Sequence, residues 1–336
     1  MTKKIGPIFY LVILIAFCSN VSQPGIYNAG GTAFSMLFPQ DSLTYKKVQM
    51  QEESIYIQLY KGFAVVKGTY KMVNNSNEKL HFTMGYPING IYNGGEADLN
   101  QVQLDSLYKF KIKASGNELP INEMLIGDSG NATVFKNENW FTWFVAFSPK
   151  EIKEIEVYFL VNTNEGGITK GYTQKQKNAF IYLLESGSVW KQPIEKGKFI
   201  VELKDGLKIS DIAGISSHFN FQVNQDETIL IGAKTDFSPI PKDNLIVTYG
   251  EKIPNFNFQY FLDQSEDLFN QIDVFSQQTE FRTTKPFISK NPYEIEPDFW
   301  SFLPVVALIL AFITPFAFGV FGIYFVIKSI KKKNRN

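Results

Sequence analysis

The sequence predicts a mainly β protein: two antiparallel β-sandwich-like ectodomains, a short membrane-proximal helix and one C-terminal transmembrane helix. Three features carry that expectation. Hydrophobicity alternates with a period of two from about residue 44 to residue 252; Asn, Gly and Pro clusters separate the alternating runs; and no charge interrupts the apolar stretch from Phe299 to Ile327.

The first run, ESIYIQLYKGFAVVKGTYKMVNN, reads as two strands turning at Lys61-Gly62. Ile55, Ile57 and Leu59 share one face of the first strand, and Ala64, Val66, Tyr70 and Met72 share a face of the second. KLHFTMGYP, YKFKIKA, WFTWFVAF and KEIEVYFLVN continue the pattern, which places a first sandwich domain at residues 23–163. The polar, Gly- and Gln-rich segment 162–178 then reads as a boundary or long exposed loop. Strands resume in AFIYLL, KFIVEL, FNFQV, TILIGA and LIVTYG, a smaller β domain over 164–252. In 253–298, Leu268, Ile272 and Phe275 fall at i, i+4 and i+7, with Asp263 and Glu266 spaced as a capping box, and the proline-bearing remainder reads as an extended stalk.

The stretch NENWFTWFVAF, ending at Phe147, places five aromatic rings between Trp140 and Phe147. In a strand, Phe141, Trp143, Val145 and Phe147 face one way and Trp140, Thr142, Phe144 and Ala146 the other. A binding platform needs one exposed face, whereas a strand apolar on both faces is expected to be central and covered on both sides. Burying each ring is worth about 1.5–3 kcal/mol. Core is therefore the expected role, with Trp140, after the polar Asn139, the ring best placed to be exposed.

Both chain ends read as targeting segments. Lys3 and Lys4 precede the apolar run Ile8 to Phe17, and small polar residues follow, as in a cleavable signal peptide over 1–22. Lipidation at Cys18 would place bulky Phe17 where processing favours a small residue. The C-terminal apolar run, 299–327, is long enough at ~1.5 Å per residue to cross a ~30 Å hydrocarbon core. Trp300 and Tyr324 sit near its ends and Pro315 within it. Lys328, Lys331, Lys332, Lys333 and Arg335 form a basic tail, 328–336, that the positive-inside rule leaves in the cytoplasm, with everything upstream outside.

The whole chain has 33 basic and 33 acidic residues. The terminal segments hold seven of the basic residues and no acid, so residues 23–298 carry a net charge of −7. An acidic ectodomain argues against nucleic acid, whose binding needs clustered Lys and Arg. Cys18 is the sole cysteine, which excludes a disulfide framework, zinc thiolates and a cysteine nucleophile in the ectodomain. Cysteine-poor export of a Lys-, Asn- and Phe-rich chain fits a bacterial inner membrane or cell envelope. The sequons at Asn74 and Asn131 then read as chance in an Asn-rich sequence.

The search for chemistry assigns no catalytic, cofactor-binding or metal-ligating residue, and no cofactor. GDSG at 127–130 copies the core of a serine-protease motif, but Asn131 replaces the next glycine, no cysteine flanks it and neither His81 nor His218 has the setting of a catalytic base; a turn explains it. Asp226-Glu227 and Asn162, Asn164 and Glu165 lack calcium-loop spacing. No phosphate loop occurs. A carboxylate pair stays open, because its defining feature is distance in space.

The stretches AGGTAFSM, VQMQEESIYIQL, VKGTYKMVNNSNEKLHFTMGYP and YLLESGSVWKQPIEKGKFIVEL resemble uncharacterised exported bacterial proteins of about this length. The matching positions are Gly30, Gly31, Met50, Glu53, Asn74, Tyr86, Pro87, Gly187, Trp190 and Ile194. The resemblance implies a sheet-rich ectodomain and supplies no catalytic residue. The expected function is a membrane-anchored, extracytoplasmic, non-enzymatic protein that binds another envelope protein or a polymer, such as a polysaccharide, through its β domains. Edge strands and the loop at 85–99 are its expected contact surfaces. The alternatives are an anchored carboxylate-dependent hydrolase and an accessory subunit of a membrane complex. The topology has a direct test: protease added to intact spheroplasts should degrade most of the chain and leave a short C-terminal stub, and survival of the bulk until lysis would refute export.

Overall fold

A computed structural model describes residues 42–287, except 89, 94–99, 105–106, 124–133, 137–139, 171–172, 176, 216–218, 241–242 and 279–280, together with scattered helical residues between 306 and 328. The signal segment 1–22, Gly30 and Gly31, the GDSG turn, His218 and most of the expected stalk lie outside the described residues.

A single helical turn, α1 (Ser42–Tyr45), leads into the strands. These are β1 (Val48–Tyr60), β2 (Phe63–Asn74), β3 (Leu80–Pro87), β4 (Gly90–Asn93), β5 (Asn100–Leu104), β6 (Tyr108–Ala114), β7 (Asn117–Glu118), β8 (Ile121–Glu123), β9 (Val134–Lys136) and β10 (Trp140–Phe147). After them come β11 (Ile152–Val161), β12 (Gly167–Lys170), β13 (Thr173–Lys175), β14 (Lys177–Tyr182), β15 (Ile194–Leu203), β16 (Ile212–Ile215), β17 (Asn220–Asn224), β18 (Ile229–Phe237) and β19 (Leu245–Glu251). Two helices, α2 (Phe258–Leu262) and α3 (Ser265–Ser276), precede a last strand, β20 (Thr283–Pro286). The fold is mainly β, as the period-two pattern requires.

The strands form one nine-stranded sheet in the order β20-β17-β18-β15-β1-β2-β11-β6-β7 and three small sheets, β3-β10-β9-β8, β13-β12-β5-β4 and β14-β19-β16. The turn at Lys61-Gly62 joins β1 and β2 as the pattern predicts, with Tyr60 opposite Phe63 and Gly62 at φ +95°, a conformation glycine adopts freely. The expected division into sandwiches at 163/164 is not how the sheets are built. β15 pairs parallel with β1, from Glu52 opposite Lys196 to Leu59 opposite Leu203, so the large sheet runs across that boundary. Residues 1–294 accordingly form one compact unit. The polar segment 162–178 is a hairpin, β12 with β13, anchored where Thr163 Oγ1 and the Tyr249 hydroxyl share a hydrogen bond of 2.6 Å. Local composition cannot reveal a pairing between strands some 140 residues apart.

Strand alternation splits the large sheet into two apolar faces. Ile55, Ile57, Val66, Met72, Ile155, Val157, Phe159, Phe199 and Val201 join the core shared with β3, β10, β14 and β19. Tyr60, Phe63, Val65, Tyr158, Leu160 and Ile200 join the core under α2 and α3. On α3, Leu268, Ile272 and Phe275 are buried, with Phe269 beside them. Asp263 and Glu266 make no capping box. Asp263 ends α2 in helical backbone and accepts from Gln259 Nε2 at 2.8 Å, and α3 starts after Gln264. The first residues of the expected stalk are β20, which closes the sheet edge against β17, a position where Pro286 costs no ladder bond within the sheet.

The aromatic strand β10 is central in its small sheet, between β3 and β9, but it is not covered on both faces. Phe141, Trp143 and Phe147 are buried, and Phe141 and Phe147 stack on Phe110 and Phe82 at centroid distances of 4.0 and 5.8 Å. Phe144 is 73% exposed and Ala146 is also exposed. Only one face of this small sheet meets the core, and that decides which rings are wet.

A second compact unit covers Ile295–Asn336. Its described residues are helical, and Thr314 Oγ1 donates to the Leu310 carbonyl at 2.6 Å. Among the described residues, no helix is long and apolar enough to cross a membrane, so the expected span at 299–327 is seen here as helical residues alone.

Lys67, 7% exposed, ties α3 to the sheet: its Nζ lies 2.7 Å from both Glu156 and Asp273, and the Tyr158 hydroxyl donates to Asp273 at 2.7 Å. Burial pushes the Asp273 carboxyl up, but hydrogen bonds from Lys67 and Tyr158 outweigh it and hold the group below its ordinary value. A depressed carboxyl adds stability above its unfolded pKa and loses it as pH falls through the folded value. Asp273→Asn should therefore cost about 1–3 kcal/mol at neutral pH. In denaturant titrations that deficit should shrink as pH falls below about 4.

Candidate functional site

Between the large sheet and the small sheets lies a cavity of about 90 Å³, room for several water-sized groups. Its wall is mainly apolar: Met50, Met72, Met84, Val157, Phe159 and Ile181 are typical. The polar exceptions are Glu53, Tyr70, Tyr86, Trp143, Tyr182 and Ser186, whose hydroxyl donates to the Leu183 carbonyl.

Local structure explains how Glu53 comes to be there. Along β1, residues 53, 55, 57 and 59 share a face, so the alternation that buries Ile55 and Ile57 buries Glu53 too, at 3% exposure. Met50 would point away from Glu53 in a regular strand, since three residues separate them. The register against β2 shifts between Met50 and Glu52, leaving Gln51 as an extra residue. This bulge turns Met50 and Glu53 into the same cavity.

Three tyrosines converge on the carboxyl. Tyr70, opposite Glu53 on β2, shares a hydrogen bond with the Tyr182 hydroxyl of β14, and Tyr182 donates to Glu53 Oε1 at 2.8 Å. Tyr86 of β3 hydrogen-bonds with both Tyr70 and Tyr182. The close approach needs Gly68, since a Cβ there would lie 2.6 Å from the Tyr70 hydroxyl oxygen. Burial drives the Glu53 pKa up to about 8, against a smaller lowering from the Tyr182 hydrogen bond. Burial also raises the pKa of Tyr70, Tyr86 and Tyr182, so the cluster is uncharged at neutral pH.

Two cavity residues keep a buried polar atom without a partner among the described residues: Oε2 of Glu53 and Nε1 of Trp143. An orphaned buried group costs about 1–3 kcal/mol. Two of them on one cavity are a specific feature, one an acid and the other a donor.

Of the positions that carry the sequence resemblance, Met50, Glu53, Tyr86, Gly187 and Trp190 line this cavity. Ile194 stands next to Gly187, 3.3 Å from where a Cβ would be. Asn74 is fully buried and holds the turn after β2, its Nδ2 donating to the carbonyls of Glu78 and Ser148, which leaves its sequon inaccessible. The expected contact loop at 85–99 begins in the cavity wall, with Gly85, Tyr86 and Ile88. Sequence reasoning assigned no site residue. The signal was a carboxylate on the apolar face of β1, in phase with Ile55, Ile57 and Leu59.

The remaining candidates have local roles. His81 is an exposed strand side chain on β3. Asn162 Oδ1 accepts from the Glu165 amide, Asn164 Oδ1 accepts from the Ile253 amide, and Glu227 sits in a turn paired with Lys285. Among the described residues, no group of three or more His, Cys, Asp or Glu side chains is placed to hold a metal ion.

No family model matches the chain, and no curated protein matches it. Among solved structures, a candidate nutrient-binding protein of Legionella pneumophila is similar at 14% identity and a TM-score of 0.41, over 61% of this chain and 67% of that one. An M1 zinc metallopeptidase of Deinococcus radiodurans is similar at 10% identity and a TM-score of 0.32, over 60% of this chain and 43% of the peptidase. The chain thus spans less than half of the peptidase's length, and likenesses this distant decide no activity.

The raised Glu53 carboxyl makes a stability prediction. An acid whose folded pKa lies above its unfolded value destabilises the fold as pH rises between the two. Glu53→Gln should gain on the wild type by a few kcal/mol as pH goes from about 5 to 8, measured by chemical denaturation. A constant difference across that range would show that Glu53 is not buried as an acid.

Proposed function

We propose that this protein is an exported, membrane-anchored, non-enzymatic binding protein whose ligand occupies the cavity around Glu53. The observation that carries this reading is a mainly apolar cavity wall in which two residues, Glu53 and Trp143, each keep a buried polar atom, Oε2 and Nε1, without a partner among the described residues. Small-molecule sites have that composition, with apolar walls for affinity and a few polar groups for orientation. Export and anchoring rest on the apolar runs at the two chain ends and on the basic tail. The binding reading is favoured over the anchored hydrolase because, among the described residues, Glu53 is the one carboxylate in the cavity wall, while glycoside hydrolysis uses two about 5–10 Å apart. A small ligand inside the fold replaces the polymer or partner protein expected at the strand edges, since the two buried polar atoms without described partners belong to residues of the cavity wall.

The test is co-purification. The full chain, extracted in mild detergent from its own membranes, should carry one small molecule recoverable by organic extraction and mass spectrometry. Val157→Phe puts a ring into the cavity from β11 and should lose that molecule, at a cost of about 1–3 kcal/mol in stability. Identical extracts from wild type and a folded Val157→Phe protein would overturn the reading.

A further inference from the structure

The donors and acceptors on the cavity wall restrict the chemistry of what it holds. Trp143 Nε1 can only donate, so it calls for an acceptor atom. Because the Tyr182 hydroxyl donates to Glu53 Oε1, a proton on this carboxyl belongs on Oε2, the atom without a partner. We propose, building on the binding reading above, that the cavity takes a small uncharged molecule with an apolar body and one carbonyl-type oxygen, which accepts hydrogen bonds from Trp143 Nε1–H and from the carboxyl group of Glu53.

The other ligand classes each meet a specific obstacle. An anion would enter a wall that, among the described residues, has no Lys, Arg or His to compensate its desolvation. A cation would pair with an ionised Glu53, but it would leave the Trp143 N–H unpaired and point that positive edge at a positive charge. A sugar carries many hydroxyls, while Met50, Met72, Met84, Val157, Phe159 and Ile181 offer them nothing. An apolar body with one oxygen offers the Trp143 N–H an acceptor and leaves the apolar wall no unmatched hydroxyl or charge.

The same geometry makes binding pH-dependent. The titratable groups facing Glu53 are Tyr70 from β2, Tyr86 from β3 and Tyr182 from β14, all held neutral by burial. Glu53 is the sole formally charged residue type in the wall, and burial keeps its proton on up to about pH 8. Above that value Oε2 becomes a carboxylate oxygen that repels the ligand's acceptor.

The experiment uses the full chain in lipid nanodiscs and three probes of five heavy atoms each, small enough for the cavity: 2-butanone, 2-aminobutane and propanoate. Thermal unfolding midpoints are recorded against probe concentration, since a ligand bound to the folded state raises the midpoint. The ketone should stabilise the wild type and Glu53→Gln, whose amide still donates, and should lose at least about tenfold in affinity for Trp143→Phe, the scale of one buried hydrogen bond. Wild-type affinity for the ketone should fall about tenfold between pH 7 and pH 9 as the neutral carboxyl is depleted, and Glu53→Gln should stay flat. Should Trp143→Phe fail to fold, the pH comparison decides: equal pH dependence in wild type and Glu53→Gln overturns the assignment. Stabilisation by the amine or the acid without the ketone overturns the ligand class and leaves a binding cavity. Silence from all three probes, together with no co-purified molecule, overturns the class and the binding reading as well.

Discussion

The parallel pairing of β1 with β15 is the constraint on which the rest of the architecture depends. It joins what would otherwise be two antiparallel sheets into one of nine strands, and a sheet that wide has two apolar faces to cover. The helices α2 and α3 cover one and the small sheets cover the other. Parallel pairs need a long crossover, and the residues between β1 and β15 supply it by building β2, β11, β6 and β7 of the large sheet, two of the small sheets, strand β14 of the third and most of the cavity wall. The cavity therefore exists because the covering layer is made of short separate sheets, which meet a broad twisted sheet without filling every gap.

The elements were legible in the sequence where the physics is local. The alternation of Ile55, Ile57 and Leu59, the turn at Lys61-Gly62 and the helical spacing of Leu268, Ile272 and Phe275 each reflect one strand, one turn or one helix face. Three things were not. The domain boundary failed because Asn162 and Thr163, polar in sequence, are buried and bonded across the fold. The burial of β10 on one face failed because periodicity shows that Phe144 and Phe141 oppose each other but not which side a neighbour covers. The shared orientation of Met50 and Glu53 depends on a bulge at Gln51, and a bulge breaks the period used to read strands.

Two buried lysine and glutamate sites in this fold show how partners decide the role of a charge. Lys67 is buried against Glu156 and Asp273, so its charge is matched and fixes α3 to the sheet. Its hydrogen bonds to those carboxylates, with their charge, outweigh burial and keep its pKa above the ordinary value. Glu53 has no cation among its described contacts, only hydroxyls, and burial makes it a neutral acid. The first arrangement is complete within the chain. The second leaves one oxygen without a partner, with an indole N–H also unsatisfied on the same wall.

A fold under selection for stability alone would resolve that second arrangement cheaply. Gln at position 53 would carry no ionisation cost, and an apolar residue at position 143 would leave no orphaned donor, each orphaned group being worth about 1–3 kcal/mol. Marginal stability makes such sums matter, because a whole domain is held by only about 5–15 kcal/mol. The cost falls on two residues from different sheets, Glu53 on the large one and Trp143 on β10, that line the same cavity. Strain and unsatisfied polarity retained at one place are the usual mark of a site kept for a ligand. That argument is independent of the proposed export and would stand if the chain ends served some other purpose.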